Sequence, residues 1–137
     1  MKANELMIGD WVIDGTQPAQ VTGITCGGVI ETTANEHSNI EVVEPIRITP
    51  ELLEANGFEM GYKCPEGVYS LYVDGTIVVE VALYDPFFIN ISYEEITPDG
   101  TDSGTISTFC KVYGEEIYVH ELQNFLWLHN IDIDLVL

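Results

Sequence analysis

The segment Tyr69-Ser70-Leu71-Tyr72-Val73-Asp74-Gly75-Thr76-Ile77-Val78-Val79-Glu80-Val81-Ala82-Leu83 specifies a β-hairpin. Two runs rich in β-branched and aromatic residues, 69–73 and 76–83, flank Asp74-Gly75. That dipeptide tolerates the positive φ angles a type I′ turn needs, and this turn matches the twist of the strands it joins. By the two-residue period of a strand, Ile77, Val79, Val81 and Leu83 share one face, and Val78, Glu80 and Ala82 share the other.

Beyond the hairpin, Phe87, Ile89, Ile91 and Tyr93 alternate after an Asp85-Pro86 turn and predict a third strand. A polar loop over Pro98 to Gly104 leads to a fourth strand over Thr105 to Tyr113. Ile117 to His129 reads as a helix with Val119, Leu122 and Leu126 on one side, stopping near Asn130. The tail alternates Ile131, Ile133, Leu135 and Leu137 with Asp132 and Asp134, the pattern of a last strand.

On the N-terminal side of the hairpin, Thr49-Pro50-Glu51-Leu52-Leu53-Glu54-Ala55-Asn56-Gly57 predicts a two-turn helix over 50–56. Thr49 suits the N-cap, Pro50 the first helical position, Glu51 the dipole, and Gly57 the left-handed residue past the end. Before it lie short β-branched runs over Leu6 to Ile13, Ala19 to Ile24, Val29 to Thr33 and Ile40 to Val43. Turns at Asp14-Gly15 and Gly27-Gly28 and a polar loop over Ala34 to Asn39 separate them. So many short strands in so few residues predict a small SH3-like β-barrel over 1–48, since closure removes open edges. The expected fold is therefore mainly β, of the α+β class. It has a barrel-like segment at 1–48, then an antiparallel sheet at 49–137 packed with helices near 50–56 and 117–129.

The 137 residues are 46% hydrophobic, enough for a real core. Cys26, Cys64 and Cys110 are odd in number and far apart, as expected of reduced thiols in a cytoplasmic protein rather than of a disulfide scaffold. The chain shows no apolar run of bilayer-spanning length and no signal-peptide pattern at Met1 to Asp10. Twenty-three acids face four bases, Lys2, Arg47, Lys63 and Lys111, for a net charge of −19. Direct binding to nucleic acid or to an anionic membrane needs clustered Lys and Arg, which this composition excludes. The plain reading of the acids is solubility through self-repulsion; the sharper one is a surface for a basic protein partner. The excess is heavier in the second segment, at −14 against −5 over 1–48.

The spacing of the chain's histidines, cysteines and glycines matches no complete catalytic or metal motif. His120-Glu121 opens like a zincin helix, but the position four residues after His120 is Asn124. The cysteines form no CxxC pair, and neither a phosphate loop nor a nucleophile elbow occurs. Cys110 and His120 flank one connection and form a conceivable thiol–imidazole pair, against the plain reading of a core thiol and a helix imidazole. Asp99-Gly100-Thr101-Asp102-Ser103-Gly104 has some features of a calcium loop, but its twelfth position is Cys110 and not a glutamate. Glu94-Glu95, Glu115-Glu116, Asp132 and Asp134 read as solvated carboxylates. No catalytic residue, cofactor or metal is expected.

Three segments resemble, in this order, a family of uncharacterised proteins from Bacteroides-type gut bacteria, their prophages and mobile elements. They are Ala3-Asn4-Glu5-Leu6-Met7-Ile8-Gly9-Asp10-Trp11-Val12, then Pro45 to Glu59 around Ile48-Thr49-Pro50-Glu51, and Tyr118-Val119-His120-Glu121-Leu122-Gln123-Asn124-Phe125. Met7 and Asp10 stand where members carry a basic residue and Asn, and the tail after Phe125 differs. The resemblance implies a bacterial or phage-encoded origin and assigns no functional residue.

Within the last segment, Val119 and Leu122 are expected to pack the helix, with Gln123 and Asn124 bonding a nearby loop or strand edge. The functional alternative is a binding groove formed by His120, Gln123, Asn124 and Phe88, the last singled out because its strand-face mates are Asn90 and Ser92. Three functions compete. The first is a non-enzymatic protein-interaction module with a protein partner or a second copy of itself, such as an accessory protein of a phage or mobile element. The second is an acidic decoy of nucleic acid that occupies a basic host protein. The third is a small enzyme of unrecognised type.

Overall fold

The computed structural model describes residues 5–25, 27–35, 38–39, 43–60, 67–96 and 102–137. The chain divides into two compact units, Met1–Ile48 with Tyr118–Leu137, and Thr49–Ile117. The expected division placed all of 49–137 together. In the structure the C-terminal helix belongs with the N-terminal strands.

The first unit contains β1 (Trp11–Asp14), β2 (Gln17–Ile24), β3 (Val29–Thr32), β4 (Ser38–Asn39) and β5 (Val43–Pro45), in the order β4-β3-β2-β1-β5. All of its pairings are antiparallel. Among the described residues β4 and β5 do not pair with each other, so the sheet is not closed there and the expected barrel is not shown. The strand predicted over Leu6 to Ile13 begins only at Trp11, because Gly9, at φ +98°, turns the chain just before it. The predicted Ile40 to Val43 strand lies mostly outside the described residues; of it, Val43 belongs to β5.

Leu6, Val12, Val21, Ile30 and Val43 form the core of this sheet. Helix α2 (Val119–Leu128) packs against β1 and buries Val119, Leu122 and Leu126, the face the sequence predicts. The Glu121 carboxylate accepts the Tyr118 N–H at 2.9 Å, and the Ile46 carbonyl accepts the first helical N–H, that of Val119, at 2.8 Å. These contacts satisfy donors that every helix start leaves open. Asn130, at φ +57°, ends the helix in the left-handed conformation. The expected last strand is absent: residues 131–137 run without a ladder, although Ile131 and Leu135 are buried. The apolar alternation is real, but among the described residues no strand pairs with this tail.

The second unit holds α1 (Pro50–Ala55), β6 (Glu59–Met60), β7 (Val68–Val73), β8 (Ile77–Ala82), β9 (Phe87–Ile96) and β10 (Asp102–Tyr113), with strand order β10-β9-β8-β7-β6. The Thr49 hydroxyl accepts the Leu52 N–H at 3.2 Å, and Gly57 sits at φ +86°, so both predicted ends of α1 are present. Asp74 and Gly75 both have positive φ as expected, but Val73 pairs with Ile77, so the turn spans Asp74 to Thr76, one residue longer than the two-residue type I′ turn predicted. Val79, Val81, Ile89 and Ile91 are fully buried in this unit, as are Leu53 of α1 and Phe58. The opposite sheet face is not simply open, because Val68, Val78 and Ala82 are buried there too. The calcium-like stretch and the loop before β10 fall largely outside the described residues.

Candidate binding cleft

The N-terminal unit holds a cleft built where its two ends meet. Gly9 and Asp10 turn the chain into β1, with the Asp10 N–H donating to the Met7 carbonyl at 3.1 Å. The Asp10 carboxylate folds back and accepts the Met7 N–H at 2.7 Å. Side-chain acceptors of this kind let Asp hold tight turns.

Helix α2 then clamps this turn. Gln123 donates from Nε2 to the Gly9 carbonyl at 3.2 Å and accepts the Trp11 N–H on Oε1 at 2.8 Å. One side-chain amide thus does for the entry of β1 what a residue of a neighbouring strand would do. Asn124 Nδ2 donates to the Glu5 carbonyl at 3.0 Å and to Asp10 Oδ2 at 3.3 Å. The tail is tied to the same strand, since the Trp11 indole N–H donates to the Leu135 carbonyl at 3.1 Å.

Two adjoining cavities result. One, of about 170 Å³, is lined by Ile8, Asp10, Asn124, Trp127, Ile133 and Asp132 among others. The second, of about 440 Å³, lies against Trp11, Gln20, Leu135 and Val136. Gly9, Gln123 and Asp134 line both. Ile8 is 73% exposed and Trp127 64% exposed, so the cleft carries uncovered apolar side chains beside carboxylates.

Asp10 is only 2% exposed. Burial pushes its carboxyl up to about 6, against the pull of the Met7 N–H and the Asn124 amide. Both of these are neutral donors, and they offset only part of the cost of a buried charge.

Of the four residues proposed as a groove, His120, Gln123 and Asn124 lie on α2 of the first unit and Phe88 lies on β9 of the second. Gln123 and Asn124 do line the cleft, but mainly as clamps, the structural role expected of them. His120 is 3% exposed, its Nδ1 lacks a hydrogen-bond partner, and its ring stacks on Tyr118 at 6.0 Å. Burial pushes the His120 imidazole toward its neutral form. Phe88 belongs to the other unit, half-buried in β9 and opposite Ala82. Its polar face mates are explained locally, since Asn90 donates to Glu80 and to Ser92, each at 3.0 Å. The thiol of Cys110 is exposed on β10, while His120 is buried in the first unit. Among the described residues no group of three or more His, Cys, Asp or Glu side chains is placed to hold a metal ion, and no helix is long and apolar enough to cross a membrane.

Asp10, Trp127 and Asp134 were missed as cleft residues. A signal existed for Trp127, which falls beside the Val119–Leu122–Leu126 face of α2 and so had to find either a partner or solvent. Nothing in the sequence marks Asp10 as buried. Comparison with family models, with curated protein sequences and with solved structures gave no match.

Proposed function

We propose that this protein is a non-enzymatic interaction module whose N-terminal unit docks a protein partner in the cleft between α2, the Gly9 turn and the tail. The observation that carries this reading is the joint exposure of Ile8 and Trp127 on one cleft. Large exposed apolar side chains grouped at a concavity are unusual on a surface that touches only water, and Trp is the side chain most enriched at binding hot spots. Asp132 and Asp134 on the same cleft favour a partner that brings basic residues.

An accessory role in a prophage or mobile element, in the bacterial cytoplasm, agrees with the resemblance and with the acidic charge. An SH3-like arrangement of the first unit draws support from its short antiparallel strands. A catalytic reading draws less support, because the imidazole of the distinctive segment, that of His120, is buried away from substrate access.

The test is a tagged pull-down from a Bacteroides-type lysate with wild type and Trp127→Ala side by side, eluted by a salt ramp. A partner that resists salt and is lost with Trp127→Ala supports the module. Equal capture by both baits removes the cleft from the interface. A nucleic-acid-binding protein released at moderate salt by both baits replaces this reading with the acidic decoy, since screened charge would then be the attraction.

A further inference from the structure

Three acidic residues, Asp10, Asp132 and Asp134, line the smaller cavity of the N-terminal unit, and among the described residues no lysine or arginine does. Asp132 and Asp134 are exposed, whereas Asp10 is almost wholly buried. Asp10 takes both of its side-chain hydrogen bonds, from the Met7 N–H and the Asn124 amide, on Oδ2. Among the described residues Oδ1 accepts none. A buried carboxylate oxygen without a donor is costly, and the Asp10 carboxyl accordingly stands at about 6 with only neutral donors beside it.

The size of the cavity and the placement of its acids narrow what fits it. Its volume of about 170 Å³ lies below the roughly 300–1,000 Å³ of small-molecule pockets, so it takes one side chain rather than a whole ligand. Among the described residues no three acids are grouped to hold a metal ion, so the occupant has to serve acceptors that stand apart. A guanidinium presents five donors in a planar fork and stacks on aromatic faces, whereas an ammonium is a compact, strongly hydrated point charge. An aromatic face is at hand. Trp127 is exposed on the cavity and stands one turn of α2 beyond Asn124, whose amide holds Asp10 Oδ2.

We infer that the partner places one arginine side chain in this cavity, its guanidinium donating to the Asp10 carboxylate and lying against the Trp127 indole. This rests on the docking of a protein partner proposed for the cleft, and it names the group by which that partner is read. The arginine supplies the cation that the lining lacks, and a charge-assisted hydrogen bond to a buried carboxylate is among the stronger polar contacts. Asp132 and Asp134 attract the same cation from exposed positions, where salt screens them. The pair at Asp10 is buried and is screened much less, which fits a contact that survives salt.

The probe is N-acetyl-arginine amide, titrated into the isotope-labelled chain at constant ionic strength and at a pH above the Asp10 value of about 6. The indole N–H signal of Trp127, assigned by its loss in Trp127→Phe, is expected to move. N-acetyl-citrulline amide, of the same shape without the charge, is expected to leave it in place, and N-acetyl-lysine amide to bind more weakly. Asp10→Asn, which keeps an acceptor for the Met7 N–H, is expected to weaken the arginine amide roughly fivefold or more. An unmoved signal, an equal response to citrulline or lysine, or an unchanged affinity in Asp10→Asn overturns the inference. The pull-down separates this from the docking itself. A partner lost with Trp127→Ala and with Asp10→Asn supports both, whereas one lost with Trp127→Ala but captured normally by Asp10→Asn keeps the docking and overturns the arginine. Equal capture by wild type and Trp127→Ala removes the docking, and the partner's arginine with it.

Discussion

Gln123 accepts the backbone N–H of Trp11 at 2.8 Å across a sequence separation of 112 residues. Its amide nitrogen reaches Gly9 on the other side of Asp10, at 3.2 Å. One side chain on α2 therefore sets where β1 begins, and with it the shape of the cleft.

Gln123→Ala removes that clamp and leaves the Trp11 N–H without its acceptor. A partly buried donor left open costs about 1–3 kcal/mol, so the urea midpoint is expected to fall with an unchanged slope. A midpoint within error of wild type would show that water replaces the amide at no cost.

Asp10→Asn tests the buried carboxylate. The folded-state value of about 6 lies above the ordinary 3.8, so the folded state binds more protons between those values. The group's stabilising contribution is complete below about 3.8 and is lost as pH rises through about 6. Asparagine keeps an acceptor for the Met7 N–H and the Asn124 amide without the charge. It is expected to raise stability at neutral pH by about 2–3 kcal/mol and to flatten the pH dependence in that window. Lower stability for Asp10→Asn at neutral pH would contradict the assignment.

His120 acts with the opposite sign. Burial depresses its folded-state value, so its contribution is present above the ordinary histidine range and is lost as pH falls through the depressed value. Its imidazole resonances in an NMR titration are expected to move at a pH below that of a free histidine. His120→Phe, which keeps a stacking ring beside Tyr118 and removes the unpartnered Nδ1, is expected to resist acid better than wild type. A normal midpoint would place the ring in water, and a raised one would show that the Glu5 carboxylate outweighs burial.

Gly57→Val addresses the end of α1. Gly57 adopts φ +86°, and a Cβ there would meet Leu71 Cδ1 only at an ordinary 3.6 Å. The expected loss of more than about 1 kcal/mol thus comes from backbone strain and not from a clash. Chemical denaturation measures it, and unchanged stability would mean that the turn relaxes.

Several elements were legible in advance because their causes are local. Thr49, Pro50 and Gly57 bracket α1 through caps and φ preferences that act within a few residues. Asp74-Gly75 marks the β7–β8 turn for the same reason. The alternation over 131–137 was equally legible and misled, because burying every second residue needs only a surface to lie on, whereas a strand needs a partner. The groove reading grouped Phe88 with α2 residues from chemical type alone, and the fold places them in different units.

The sequence by itself determined the hairpin of β7 and β8, both ends of α1 and the apolar face of α2. These follow from periodicity, turn chemistry and charge within short windows of chain. Only the tertiary structure decided that α2 joins the N-terminal sheet, that Gln123 holds Gly9 and Trp11, and that Asp10 is buried. Each of these depends on which distant segments meet, and residues more than a hundred positions apart leave no local pattern of their meeting.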